Sequence, residues 1–315
     1  MLSTVVRQVY YYQFNGKNIL DSSRQRSYAG FSGWSRGEIK RVADAIISHP
    51  NKLKPVAICS VYGDESSGSH TFVLSVLIGT VEHWECFEVP WKSILLDAGL
   101  VDPQEPGVPL PFHMSEFESR IPPFDWDNEK RIKVLSSLIS VIHGAQLIAA
   151  SVILPIKLFQ NIIPVNAHLS LDDPLRKALQ WMICFAALHH PLAEFARSLS
   201  EPMPLVFDRN DFAAGMIQDG MTRVHTRIPE LEKLLDVPVF RNKSRVVQIQ
   251  AADILAYETM KHYENGVTLS GRPLRKSRKL LHDGLPLFSF VCGERHLSDM
   301  RSVCIEAFRS WELQQ

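Results

Sequence analysis

The apolar positions of the chain fall into runs of two kinds. Residues 56–62 are apolar nearly throughout, the pattern of a central strand buried on both faces. Residues 64–69, Asp-Glu-Ser-Ser-Gly-Ser, have the composition of a turn, and residues 71–80 form a second, β-branched run, so the two runs predict a hairpin. Residues 146–154 and 205–208 predict two further strands, the second a short apolar stretch after Pro204 that ends in Asp208.

Helical spacing alternates with these runs. Residues 82–100 predict a helix ending at Gly99, and a Pro-rich loop follows over 103–111. Within 127–143, Ile132, Leu135, Leu138, Ile139 and Ile142 recur at helical intervals until Gly144 stops the helix. Residues 174–199 are helical with a very apolar middle, although His189-His190 before Pro191 reads as a helix end. Residues 246–263 predict a long helix and 297–313 a closing one. Residues 35–48 predict a short amphipathic helix striped by Ile39, Val42, Ala43 and Ile46. A hairpin followed by helices alternating with single strands predicts an α/β fold, a mixed sheet with helices on its faces. The polar, aromatic residues 1–52 read as an accessory arm on a domain formed by 53–315.

Composition narrows the partners. Lys and Arg together equal Asp and Glu, 34 against 34, so the whole molecule has no field that draws in polyanions, and nucleic-acid contact requires a local basic patch. The five cysteines, Cys59, Cys86, Cys184, Cys292 and Cys304, never fall at a zinc-binding spacing, and several sit in apolar runs where a reduced cysteine packs as a small hydrophobe. That usage predicts a reducing, cytoplasmic setting. The chain shows no secretory signal pattern and no run approaching the roughly 20 apolar residues of a membrane span, so no membrane partner is expected. It has no Gly-x-x-x-x-Gly-Lys-Ser/Thr loop, no Gly-x-Ser-x-Gly elbow and no His-Glu-x-x-His helix.

The acidic residues are more informative. Asp64 follows a central apolar strand, and Asp208 repeats the pattern after Leu205-Val206-Phe207; turn or cap chemistry is the competing explanation for each. On the helix over 246–263 the apolar stripe is Ile249, Ala252, Ala256, Met260 and Tyr263, and Asp253 lies at its edge, away from Glu258 and Lys261. Its carboxylate therefore faces the sheet. An inward-facing carboxylate needs a cation, an ion pair or a proton, and converging carboxylates cannot neutralise one another. A divalent metal does. Glu116, in Phe112-His113-Met114-Ser115-Glu116, is a fourth candidate, and His113 beside it reads as a ligand, a proton shuttle or a hydrogen-bonded structural group.

The order Tyr62-Gly63-Asp64-Glu65-Ser66, then Phe112 to Glu116, then a strand ending in Asp208, then Ser244 and Gln248-Ile249-Gln250-Ala251-Ala252-Asp253-Ile254-Leu255-Ala256-Tyr257 resembles a bacterial domain-of-unknown-function family. That family opens with Asp-Glu-Ser-Gly, closes with Gln-x-Ala-Asp and is grouped with the ribonuclease-H-like superfamily. The resemblance spans residues 56–264; the chain departs from it with Ser67 where glycine is usual and Glu116 where the family often has Asp.

The resemblance implies a ribonuclease-H-like mixed sheet. Asp64, Glu116, Asp208 and Asp253 would be its acidic quartet, holding two Mg²⁺ or Mn²⁺ ions about 3.5 to 4 Å apart and hydrolysing DNA or RNA phosphodiesters. Glu65, His113, Ser244 and Gln250 would be auxiliary, with Glu65 pointing away from the site. Two basic clusters flank the Asp253 helix and could meet a phosphate backbone: Arg241, Lys243 and Arg245 before it, and Arg272, Arg275, Lys276, Arg278 and Lys279 after it. Two other readings stay open: a non-catalytic module of the same fold that binds nucleic acid or a partner protein, and a scaffold in which Asp64 and Asp253 pair with Arg or Lys.

Overall fold

In the computed structural model the described residues are 59–163, 173–199, 201–209, 211–267 and 274–312. The arm over 1–52, its helix at 35–48 and Arg272 lie outside them. The strands are β1 (Cys59–Ser67), β2 (Thr71–Thr80), β3 (Ile148–Pro155), β4 (Leu205–Asp208), β5 (Val239–Arg241) and β6 (Leu287–Val291). The helices are α1 (Val81–Asp97), α2 (Met114–Ser119), α3 (Asn128–Gly144), α4 (Ile156–Ile162), α5 (Pro174–Leu199), α6 (Asp211–Arg227), α7 (Pro229–Glu232), α8 (Val247–Val267), α9 (Lys276–Gly284) and α10 (Glu294–Glu312).

The described strands form one mixed sheet in the order β5-β4-β1-β2-β3-β6. β1, β2 and β3 are antiparallel neighbours, β4 runs parallel to β1 and β5 parallel to β4, and β6 closes the far edge parallel to β3. β2 is buried at every position, because helices cover both faces of the sheet centre. One face packs β2 residues Phe72, Leu74, Val76 and Ile78 with α4, α5, α6 and α10. The other packs Leu77 and Ala149 with α1, α2, α3, α8 and α9, around Trp84, Phe87, Trp91 and Ile254.

Local signals start and stop several helices. The Thr80 hydroxyl caps α1 by accepting from His83 N, and Asp127 caps α3 by accepting from Lys130 N. α5 runs through Pro191 to Leu199, so the helix end expected at His189 is not there; His189 is buried inside the helix.

The expected turn at 64–69 is also shorter than its composition implies. β1 continues through Asp64, because the fully buried β2 holds it in register as far as Ser67 opposite Phe72, and the reversal begins at Gly68. Pairing across the sheet therefore overrides the turn preference of Asp and Ser. The consequence for function is that Asp64 sits on a paired strand with a fixed facing.

Candidate functional site

Three acids reach one point from three elements. Asp64 on β1 and Asp208 on β4 are placed side by side by the parallel pairing of Gly63 with Phe207, and alternation sends both carboxylates to the face that α8 covers. The close packing of these strands requires Gly63, since a Cβ there would collide with the Phe207 ring. Asp253 comes from α8, one turn after Gln250 on the same side of the helix. Its inward facing is the one its place on the apolar stripe predicts.

At the centre stands Lys243, from the turn between β5 and α8. Its Nζ lies 2.8 Å from Asp64 Oδ2, 3.0 Å from Asp208 Oδ2 and 3.7 Å from Asp253 Oδ2. Main-chain donors complete the arrangement. Asp64 Oδ1 accepts from Glu65 N, Asp208 Oδ1 from Lys243 N at 3.2 Å, and Asp253 Oδ2 from Met114 N at 2.9 Å. The last of these ties the start of α2 to the site.

Gln250 is the keystone beneath the lysine. Its Oε1 accepts from Trp91 Nε1 at 3.0 Å and from Phe112 N at 3.2 Å, while its Nε2 donates to the Lys243 carbonyl at 2.9 Å. One buried amide thus joins α1, the loop before α2 and the turn that presents the lysine. Asn242 braces the same turn through its side-chain oxygen, which accepts from Ser244 N.

Charge in this enclosure is short of compensation. Burial raises the Asp64 carboxyl well above its ordinary value; the Lys243 ammonium opposes this, and Asp253, Glu65 and Asp208 add to it. Burial also raises Asp253, against the pull of Lys243, the Met114 N–H and His113. For Lys243, burial alone would weaken the charge, but the three aspartates outweigh it and hold the ammonium above its ordinary range.

The other expected residues distribute as follows. Glu65 points to the opposite face, where its Oε2 accepts from Trp181 Nε1 at 3.2 Å. Glu116 lies half-buried in the first turn of α2, and among the described residues no ion pair joins it to Lys243. His113 precedes α2 and acts on Asp253 through its charge. Arg241, Arg245 and Lys276 are exposed.

Arg275, expected as a nucleic-acid contact, is engaged inside the fold. It binds both oxygens of the fully buried Glu258 at 3.0 and 3.1 Å and reaches Glu118 at 2.9 Å. It therefore clamps α2 to α8. Arg278 is buried too, donating to Thr259 Oγ1 at 2.9 Å, and burial lowers its guanidinium to about 10.

Two features escape the sequence: the central position of Lys243 and the role of Gln250. Lys243 has only its proximity to the Asp253 helix as a clue, since Asp64 is 179 residues away. For Gln250 the signal is its spacing of three from Asp253 on one helix.

As they stand, no three His, Cys, Asp or Glu side chains among the described residues are grouped to hold a metal ion. The three aspartates are spread around an ammonium instead. All five cysteines are free thiols, and among the described residues no helix is long and apolar enough to cross a membrane. No protein-family model matches the chain, and no curated protein or solved structure matches it either.

Proposed function

We propose that this chain is a ribonuclease-H-like, metal-dependent nuclease that hydrolyses phosphodiester bonds of DNA or RNA in the cytoplasm. The observation that carries the reading is the convergence of Asp64, Asp208 and Asp253 on a single cation. The strand order supports the architecture: three antiparallel strands continued by two parallel ones, with acids on the first and fourth strands and on a covering helix.

The donor set fits a hard divalent ion. The three aspartates offer carboxylate oxygens, and if all three are ionised one ammonium leaves two negative charges unbalanced. The Asp64, Asp208 and Asp253 carboxylates would hold Mg²⁺ or Mn²⁺, two ions by the resemblance. Such ions supply a nucleophilic water at neutral pH and stabilise the leaving oxygen. The chain's own residues do the rest. The Glu65, Lys243 and Met114 N–H groups fix the rotamers of the three aspartates, and Gln250 fixes the Lys243 turn. Exposed Arg241, Arg245 and Lys276 offer charge to a phosphate backbone.

The test is cleavage of labelled single- and double-stranded DNA and RNA with Mg²⁺, Mn²⁺ or EDTA, comparing the native chain with Asp64→Asn and Asp253→Asn. Metal-dependent cutting that each variant reduces by about a hundredfold or more is the expected result. Cutting that survives in both variants, or none by the native chain, rejects the nuclease. One observation favours a second reading, a non-catalytic module of the same fold that binds nucleic acid or a partner protein: Lys243 already bridges all three aspartates. Retained nucleic-acid binding without metal-dependent turnover would select it.

A further inference from the structure

The oxygens of the acid centre are allotted unequally. Asp64 and Asp208 each commit Oδ1 to a main-chain N–H, from Glu65 and Lys243 respectively. Their remaining oxygens, both Oδ2, are held by the Lys243 ammonium at 2.8 and 3.0 Å. A cation drawn to these Oδ2 atoms therefore competes with the ammonium for them.

The lysine is placed to give them up. Its main chain is anchored independently of its side chain, through N on Asp208 and through the carbonyl on Gln250. The four-carbon stem turns about its own torsions while that anchor stays in place. The side chain keeps 13% of its surface exposed, and exposed Arg241 and Arg245 flank it along the chain.

We propose that Lys243 is an exchangeable counter-ion of the acid centre. It offsets part of the aspartates' charge when no divalent cation is bound and is expelled when one enters. It then stands with Arg241 and Arg245 at the rim, as a third cation for a phosphate group. A divalent ion wins the exchange because it brings twice the charge to the same oxygens, and the released ammonium regains its hydration at the surface. The inference rests on the metal reading of the site but not on nuclease activity.

Two measurements on the full chain test it. Isothermal titration with Mn²⁺ compares the native protein with Lys243→Met; removing the internal competitor should tighten binding about tenfold or more. Acetylation of the native chain with a limiting active ester, read by peptide mass spectrometry, reports the lysine directly. Lys243 should be protected without metal and acetylated several-fold faster with Mn²⁺. The labelling uses the native chain, so it decides the matter even if the variant fails to fold.

Equal or weaker Mn²⁺ binding by a folded Lys243→Met protein overturns the proposal. So does acetylation of Lys243 that Mn²⁺ leaves unchanged or slows, and so does a native chain that binds no Mn²⁺. Exchange observed in a protein that cleaves no nucleic acid supports the proposal while removing the nuclease.

Discussion

Gln250→Leu is the perturbation whose consequences the structure fixes most closely. The substitution keeps the approximate volume of a residue that is 1% exposed, while removing its amide. Three groups lose their partner together: Trp91 Nε1–H, Phe112 N–H and the Lys243 carbonyl. A buried polar group left unsatisfied costs about 1–3 kcal/mol, so local relaxation included, the expected loss is about 3–5 kcal/mol. Urea unfolding followed by circular dichroism measures it, with an unchanged slope required for the midpoint shift to count as stability.

Trp91→Phe sharpens the test. It removes the indole donor while leaving Gln250 its contacts to Phe112 and Lys243. In the double variant no indole N–H is stranded, so the combined loss should fall short of the sum by about 1 kcal/mol. A loss below about 1 kcal/mol for Gln250→Leu, or strict additivity with Trp91→Phe, would refute the keystone role.

Acid should weaken the fold through His189. Burial, helped by His225 and His190, lowers its imidazole to about 4, so the folded state excludes a proton that the unfolded chain takes up below about 6.5. Stability is then complete above about pH 6.5 and falls by up to about 3 kcal/mol as the pH drops toward 4. His262, also lowered to about 4 by burial, acts in the same window. Thermal melts over that range should show a shallower acid limb in His189→Met, and an unaltered limb would contradict the assignment. Arg275→Met leaves the fully buried Glu258 with the Ser277 hydroxyl and only the more distant charge of Arg278, at a cost of up to about 3–5 kcal/mol in denaturant; a loss under 1 kcal/mol would place Arg275 outside the clamp. Gly63→Ala forces a Cβ against the Phe207 ring and should cost about 1–3 kcal/mol in the same assay, and a neutral result would show that β4 can shift.

Much of the framework is legible along the chain because its causes are local. The apolar run of β2 and the stripes of α3 and α8 are set by neighbours a few residues apart. Asp208 after an apolar strand and Asp253 at the edge of a helix stripe are legible for the same reason. Elements too short to carry a period escape: three-residue β5, six-residue α2, and β6, which depends on pairing with β3. The continuation of β1 through a turn-like sequence depends on β2 holding it in register.

The amino-acid sequence by itself determined the longer apolar runs, the main strands and helices they form, and that several acids end on apolar elements. Only the tertiary structure decided what those acids meet. The ammonium between Asp64, Asp208 and Asp253 comes from a turn 179 residues beyond Asp64, and Arg275, read as surface charge, is drawn inside by Glu258. The physical reason is range. Periodicity and capping act over one or two helical turns, whereas a buried charge finds its counter-charge through the whole folded topology.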